Sequence, residues 1–389
     1  MNALHTISRL PALQQPDWGS PERFAEVCRE LADLPGLVAE EDVHALRVQL
    51  ARVAVGEAHV VQAGDCAEDP AECNAGDVAR KVGVLDLLAG RLRMTTHRPV
   101  VRVGRIGGQF SKPRSRPTEM CRGQKLPVFR GHMVNGPEPD SVLRRTDPYR
   151  LLLGYHAAAE VMRHLGWSRD CVRSATCAPV WTSHEALLLG YESPMLRGDF
   201  IGETLLTSTH WPWIGERTRD PEGAHVALLA AVSNPVACKV GPTMTTDDLL
   251  ALCERLDPRR EPGRLTLIAR MGAALVGERL PALVRDVRAV GHPVIWLCDP
   301  MHGNTVPGPD GLKTRFVEDI VAEVDRFQAA MRASGGVAGG LHLETTPDPV
   351  TECVQDVTQI AHVPDKYTSH CDPRLNPEQA IAVASAWRG

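Results

Sequence analysis

From about residue 57 onward, short β-branched runs alternate with longer stretches of helical period, and that alternation points to a mostly parallel sheet covered by helices. The strand-like runs are His59–Gln62, Pro99–Val103, Ala237–Val240, Leu265–Ala269, Pro293–Leu297 and Gly340–Leu343. Between them lie Val82–Met94, Leu151–Leu165, Ala224–Val232, Asp247–Leu256, Leu280–Val290 and Phe316–Met331. Leu249, Leu252, Cys253 and Leu256 follow the i, i+3, i+4, i+7 spacing of one buried helix face. Thr246 is the expected N-cap of that helix, and Gly291 and Gly335–Gly336 are expected C-terminal stops. The first ~55 residues read as helices, Pro21–Leu34 and Glu41–Val55, that cap the sheet or mediate subunit contact. This divides the chain into a helical extension, 1–56, and a sheet-forming unit, 57–389. An open doubly wound sheet and a closed barrel share the alternation, so the pattern leaves both open.

The chemistry clusters just past the strand-like runs. His59–Gln62 leads to Asp65-Cys66-Ala67-Glu68, and Pro99–Val103 leads to Arg105 and then Lys112-Pro113-Arg114-Ser115. Lys239 and Arg270 lie in or just after the next two runs, Asp299 through Asn304 follows the fifth, and Glu344 follows the last. In β/α barrels the active site forms at the C-terminal ends of the strands, which is where these residues would fall. Sorted by type, Cys66, His302, Glu344 and Asp372 are potential metal ligands. A thiolate, an imidazole and two carboxylates suit Mn, Fe, Co or Zn better than Mg or Ca. Arg105, Lys112, Arg114, Arg217, Lys239, Arg270 and Lys313 are cations suited to phosphate and carboxylate groups.

Plainer readings stand beside these. With 11 Cys and 15 His in the chain, packing or surface roles compete with ligation at any one position. Glu344 and Asp372 could cap helices, Asp372 before Pro373 is a common turn element, and Arg105 and Arg270 could reach solvent from strand ends. The glycine-rich Gly104–Gly108 segment fits neither the dinucleotide nor the P-loop spacing. Chemistry alone supports a metal-assisted enzyme acting on phosphorylated anions.

Bulk properties remove other classes. A formal net charge of -5 gives no electrostatic footprint for nucleic acid. No run approaches the ~20 apolar residues needed to span a bilayer. Arg9, Pro11, Gln14, Gln15, Pro16 and Asp17 interrupt the segment where a secretory signal would need an apolar core. The cysteines are scattered and form no CxxC pair, so the expectation is reduced thiols in a cytoplasmic protein.

Several long strings resemble the type II 3-deoxy-D-arabino-heptulosonate 7-phosphate (DAHP) synthases. They are Gln62–Glu68, Val103–Ser115, Trp213–Arg219, Arg270–Ala273, Asp299–Thr305, His342–Glu344 and His370–Asn376, and the likeness runs from about Leu13 to Asn376. The resemblance implies a (β/α)8 TIM barrel with an N-terminal helical extension. It also implies an enzyme that condenses phosphoenolpyruvate with erythrose 4-phosphate and water. It assigns a divalent metal, Mn2+ or Co2+, to Cys66, His302, Glu344 and Asp372. Arg105, Glu216, Arg217, Lys239 and Arg270 would bind phosphoenolpyruvate, with Lys239 and Glu216 catalytic. Lys112, Arg114, Ser115 and Lys313 would lie toward erythrose 4-phosphate. A homodimer is expected.

The string Leu13-Gln14-Gln15-Pro16-Asp17-Trp18 and the short N-terminus look closest to compact members attached to phenazine and other antibiotic pathways, for which little inhibition by aromatic amino acids is expected. His132, Asp310 and Leu312 depart from the family pattern and bear on the aldehyde. An amino or imino sugar phosphate acceptor is therefore an alternative. A catalytically silent partner-binding paralogue is another, although no ligand or phosphate-binding residue is missing.

Overall fold

The computed structural model describes residues 7, 9–121, 123–168, 179–198 and 202–389. Eight parallel strands close into a barrel in sequential order. They are β1 (His59–Gly64), β2 (Val100–Arg105), β3 (Trp181–Glu185), β4 (Trp211–Ile214), β5 (Val236–Val240), β6 (Leu265–Ala269), β7 (Ile295–Cys298) and β8 (Ala338–Glu344). The ring closes where β1 pairs with both β2 and β8. This settles the choice left open above in favour of the barrel.

Two of the eight strands, β3 and β4, were not among the strand-like runs. Every residue of both is buried, including Thr182, Ser183, His184 and Glu185. In β3 those polar side chains erase the apolar pattern that marks a strand, and in β4 Pro212 interrupts it. Two expected strands also start later than proposed, at Val100 and Ile295, because Pro99 and Pro293 have no N–H to give a neighbouring strand.

The helices follow from capping and one-sided burial. α1 (Pro21–Asp33) and α2 (Glu40–Ala54) precede β1. The barrel helices are α3 (Ala75–Thr96), α4 (Arg150–His164), α5 (Ala224–Ala230), α6 (Thr246–Leu256), α7 (Val276–Ala289), α8 (Val317–Ser334) and α9 (Pro377–Ser385). In α6 all four expected core positions are buried, but the cap is Thr245 rather than Thr246. Thr245 is extended and its hydroxyl accepts from Asp248 N at 3.2 Å, whereas the Thr246 hydroxyl donates to Asp286 at 2.9 Å. Gly335 ends α8 at φ +67 and Gly291 follows α7 at φ +80, as expected of helix stops. Among the described residues no helix is long and apolar enough to cross a membrane.

The chain before β1 touches both ends of the barrel. Val43, Leu46, Leu50 and Val53 of α2 are buried, and Arg47 donates to the carbonyl of Ser233, just ahead of β5. That helix therefore lies against the N-terminal mouth. Residues 11–18 lie at the opposite mouth, where Ala224 N at the start of α5 donates to Pro11 O at 2.9 Å.

The β1–β8 seam rests on a glycine. Gly340 pairs with Val60 at φ +148, and a Cβ there would meet Val60 O at 1.9 Å. Gly340→Ala is predicted to lower stability by about 3 kcal/mol or more, combining left-handed strain with a backbone clash. Gly83→Ala in α3, with nothing among the described residues within 4 Å of the added carbon, should raise it by up to about 1 kcal/mol. Urea unfolding of both variants checks this; equal stabilities would remove the seam from the account.

Candidate active site

The C-terminal ends of the strands surround a cavity of about 230 Å³. Its wall includes Cys66, His302 and Asp372, together with Arg105, Lys112, Arg114, Ser115, Glu216, Arg217, Lys239, Arg270 and Lys313. Every residue selected from the sequence is thus brought to one place, and Glu344 completes the set from beneath the wall, at 0% exposure.

Glu344 ends β8 and joins four cationic or imidazole groups. Its Oε1 lies 3.1 Å from an Arg105 guanidinium nitrogen, 3.1 Å from Lys112 Nζ and 3.2 Å from His302 Nε2; its Oε2 lies 2.8 Å from Arg315. Burial opposes its charge, but His302, Lys112 and Arg315 outweigh burial and hold the carboxyl well below the usual range. Asp372 is likewise held down against burial, mainly by Lys112, which lies at 2.7 Å, with Lys313 at 2.8 Å.

One ligand atom each from His302, Glu344 and Asp372 falls within 4.8 Å of the others. Their two carboxylates already hold the Lys112 ammonium between them, so positive charge is favoured at this spot. The donor set therefore fits a divalent ion. The Cys66 sulfur is outside that trio but on the cavity wall, 3.4 Å from the Ser369 hydroxyl. A hydrogen bond with the Cys371 thiol, aided by Lys112 and Arg374 and opposed by burial and Glu344, lowers the Cys66 thiol to about 6. Cys66 is thus disposed to be a thiolate beside the trio.

Asp299, quoted in the sequence strings but given no role, organises the other side. It is fully buried after β7, its carboxylate 2.8 Å from His302 Nδ1 and 2.5 Å from Lys239 Nζ. With Nδ1 turned to Asp299, the other ring nitrogen of His302 faces Glu344 at 3.2 Å. Burial, with the nearby charges of Arg105 and Arg270, lowers Lys239 to about 8 although Asp299 pulls the other way.

Arg105 is fixed from below. It donates to Asp65 O at 3.0 Å and to His342 Nε2 at 2.6 Å, and lies 5.2 Å from the centre of the Trp213 ring. His342 Nδ1 faces Gln62 Oε1 at 2.7 Å, and Gln62 donates to Ser183 at 3.0 Å. Burial, Lys239 and Arg105 keep His342 well below its usual value, so the neutral ring accepts from Arg105. Arg105 is 3% exposed and so is not the solvent-reaching strand-end charge of the plainer reading. Arg270 is half-buried, with one bond to His302 O at 3.4 Å.

The glycine-rich segment after β2 has a use that its spacing did not reveal. Backbone N–H groups of Gly107, Gly108 and Gln109 donate to the Glu68 carboxylate at 2.9, 2.9 and 2.7 Å. Glu68 thereby fixes the loop that leads to Lys112. Glu185 and Gln109 also line the cavity and were not selected. Glu185 escaped with its unrecognised strand, and Gln109 carries no charge to mark it. His132, Asp310 and Leu312 do not line the cavity.

Asp299→Asn should weaken Mn2+ binding roughly 10- to 100-fold by releasing the His302 ring, with the fold retained. Equilibrium dialysis with circular dichroism as a fold control tests this; an unchanged dissociation constant would assign Asp299 to Lys239 alone.

The geometry can be set beside known proteins. The model of the class-II DAHP synthetase family matches residues 2–170 and 160–387. A Pseudomonas fluorescens protein named "Probable phospho-2-dehydro-3-deoxyheptonate aldolase" is 56% identical over 388 residues, covering 99% of this chain and 96% of its own. The Streptomyces coelicolor phospho-2-dehydro-3-deoxyheptonate aldolase is 38% identical over 431 aligned residues, covering 98% and 96%. The solved structure of phospho-2-dehydro-3-deoxyheptonate aldolase from Francisella tularensis SCHU S4 shares the fold at a TM-score of 0.55 and 12% identity, covering 94% of this chain and 97% of that one. With a family match over nearly its whole length and a barrel whose strand ends carry the expected residues, this chain belongs to the class-II DAHP synthetase family.

Proposed function

We propose that the protein is a DAHP synthase, condensing phosphoenolpyruvate with erythrose 4-phosphate and water to give DAHP and phosphate. The observation that carries this reading is one cavity holding seven cations, Arg105, Lys112, Arg114, Arg217, Lys239, Arg270 and Lys313, beside the His302, Glu344 and Asp372 trio. Two phosphorylated substrates, one also a carboxylate, need that much positive charge to be held close together.

In this reading Arg105 pairs with the carboxylate of phosphoenolpyruvate, and Lys239 and Arg270 with its phosphate, while Glu216 and Arg217 complete the site. Lys112, Arg114, Ser115 and Lys313 hold the phosphorylated aldehyde. His302, Glu344, Asp372 and Cys66 hold a divalent metal, which supplies Lewis acidity toward the aldehyde oxygen. The soft-and-hard donor mixture favours Mn2+ or Co2+ over Mg2+.

C3 of phosphoenolpyruvate attacks the aldehyde carbon, whose oxygen takes a proton. Water then adds at C2 and gives up a proton, and C–O cleavage releases phosphate. Two chain groups are suited to the proton movements. Lys239, lowered to about 8, can give or take a proton near neutral pH. Glu216 bonds Arg219 through Oε1 at 3.0 Å and leaves Oε2 without a partner among the described residues; its carboxyl fills the space beside Gly241, two residues beyond Lys239.

Erythrose 4-phosphate is favoured over an amino or imino analogue because the three departures from the family pattern lie off the cavity wall. A silent paralogue is disfavoured by the intact cation set. A cytoplasmic homodimer supplying a phenazine-like pathway completes the proposal, supported by the Leu13–Trp18 string and the reduced-thiol composition.

The test is phosphoenolpyruvate consumption and phosphate release with erythrose 4-phosphate and with amino analogues. Turnover should require erythrose 4-phosphate, and turnover only with an analogue would reassign the acceptor. Arg270→Ala should lower kcat/KM for phosphoenolpyruvate by about a hundredfold or more, since ~1.4 kcal/mol is a tenfold change. Activity within a fewfold of wild type would leave Arg270 as a strand-end charge.

A further inference from the structure

The segment ahead of the first helix is bound to several loops of the catalytic face. Pro11 O accepts from Ala224 N at 2.9 Å, after β4. Gln15 donates to Leu187 O at 2.8 Å and accepts from Leu189 N at 3.0 Å, after β3. Asp17 O accepts from the Thr146 hydroxyl at 2.5 Å. Between these anchors Gln14 has a left-handed backbone, φ +60, a conformation that a side-chain-bearing residue rarely adopts.

That strained residue faces the loop after β2. Gln14 Oε1 accepts from the backbone N–H of Arg114 at 2.9 Å, and Gln14 O accepts from the Arg130 guanidinium. Arg130 O in turn accepts from Lys112 N at 2.9 Å. The Arg114 side chain bonds Glu119 at 3.0 Å and approaches Cys371 Sγ at 3.7 Å, and Ser115 accepts from Arg217 at 2.7 Å. Gln14 thus binds the main chain of the Lys112–Ser115 stretch, all four of whose residues line the cavity. A conformation this unfavourable persists only where its surroundings enforce it. The backbone bends so that one side-chain oxygen reaches one loop amide.

We propose that Gln14 is a positioning residue for the loop that grips the acceptor phosphate, making the segment before the barrel part of the catalytic apparatus. This rests on the assignment of Lys112, Arg114 and Ser115 to the phosphorylated aldehyde. Gln14 touches no reacting atom and acts through the Arg114 amide. Its loss therefore acts chiefly on the acceptor, reaching phosphoenolpyruvate only through the Ser115–Arg217 hydrogen bond.

Gln14→Gly tests this cleanly, because glycine accepts φ +60 and only the side-chain acceptor is removed. The expected result is a roughly tenfold rise in KM for erythrose 4-phosphate, with KM for phosphoenolpyruvate within twofold of wild type. Trypsin cleavage after Arg114 should become several-fold faster, and Gln14→Glu, which keeps an acceptor oxygen, should restore both. Unchanged kinetics with unchanged cleavage would overturn the proposal. So would an equal rise in both KM values with a lowered melting temperature, which marks a purely structural residue. If the wild-type protein consumes no phosphoenolpyruvate with erythrose 4-phosphate, the functional reading fails instead, and the trypsin rates still decide whether Gln14 holds the loop.

Discussion

The Glu344 carboxylate, fully buried at the end of the last barrel strand, is the constraint around which the site is arranged. An isolated charge there would cost several kcal/mol in lost hydration, and it is tolerated only because other segments bring compensating groups to it. Arg105 comes from β2, Lys112 from the loop beyond it, His302 from the turn after β7 and Arg315 from the connection to α8. These residues span more than half the chain, so the carboxylate can be satisfied only when the barrel is closed. Folding and site assembly are therefore one event at this end of the molecule.

The same economy extends outward from Glu344. His302 shares its other ring nitrogen with Asp299, and Asp299 shares its charge with Lys239. Arg105 rests on the neutral ring of His342, which rests on Gln62 and Ser183 inside the barrel. Arg105, Lys239 and His302 are thus each backed by a buried partner that fixes its direction. Removing a backing residue leaves its neighbour's charge or donor unmatched in a dry site, so substitutions away from the reacting atoms should still register in function.

Much of this was legible in the sequence, for physical reasons. Six strands showed themselves through β-branched runs, and the chemical residues showed themselves by following those runs. β3 stayed hidden because Thr182, Ser183, His184 and Glu185 are polar yet buried. β4 stayed hidden because Pro212 interrupts it. In the site, residue type found the cations and candidate ligands, but it could not separate Asp299 as a partner of His302 from Asp299 as a turn residue. Arg315, Gln109 and Glu68 act through bonds to residues distant in the chain, which no local pattern encodes. Gln14 was visible only as part of a string, and its φ of +60 and its hold on Arg114 belong to the folded structure alone.

The proposed function needs four residues from separate segments to converge on one metal, three of them grouped and the Cys66 sulfur outside that trio. An anomalous difference map from crystals soaked in Mn2+ or Co2+ tests it most directly, because it locates the ion without reference to activity. The expected result is a single strong peak within bonding distance of His302 Nε2, carboxylate oxygens of Glu344 and Asp372, and Cys66 Sγ, with the Lys112 ammonium displaced from between the carboxylates. A peak away from this trio, or one at the trio with the Cys66 sulfur still beyond bonding distance, would contradict it.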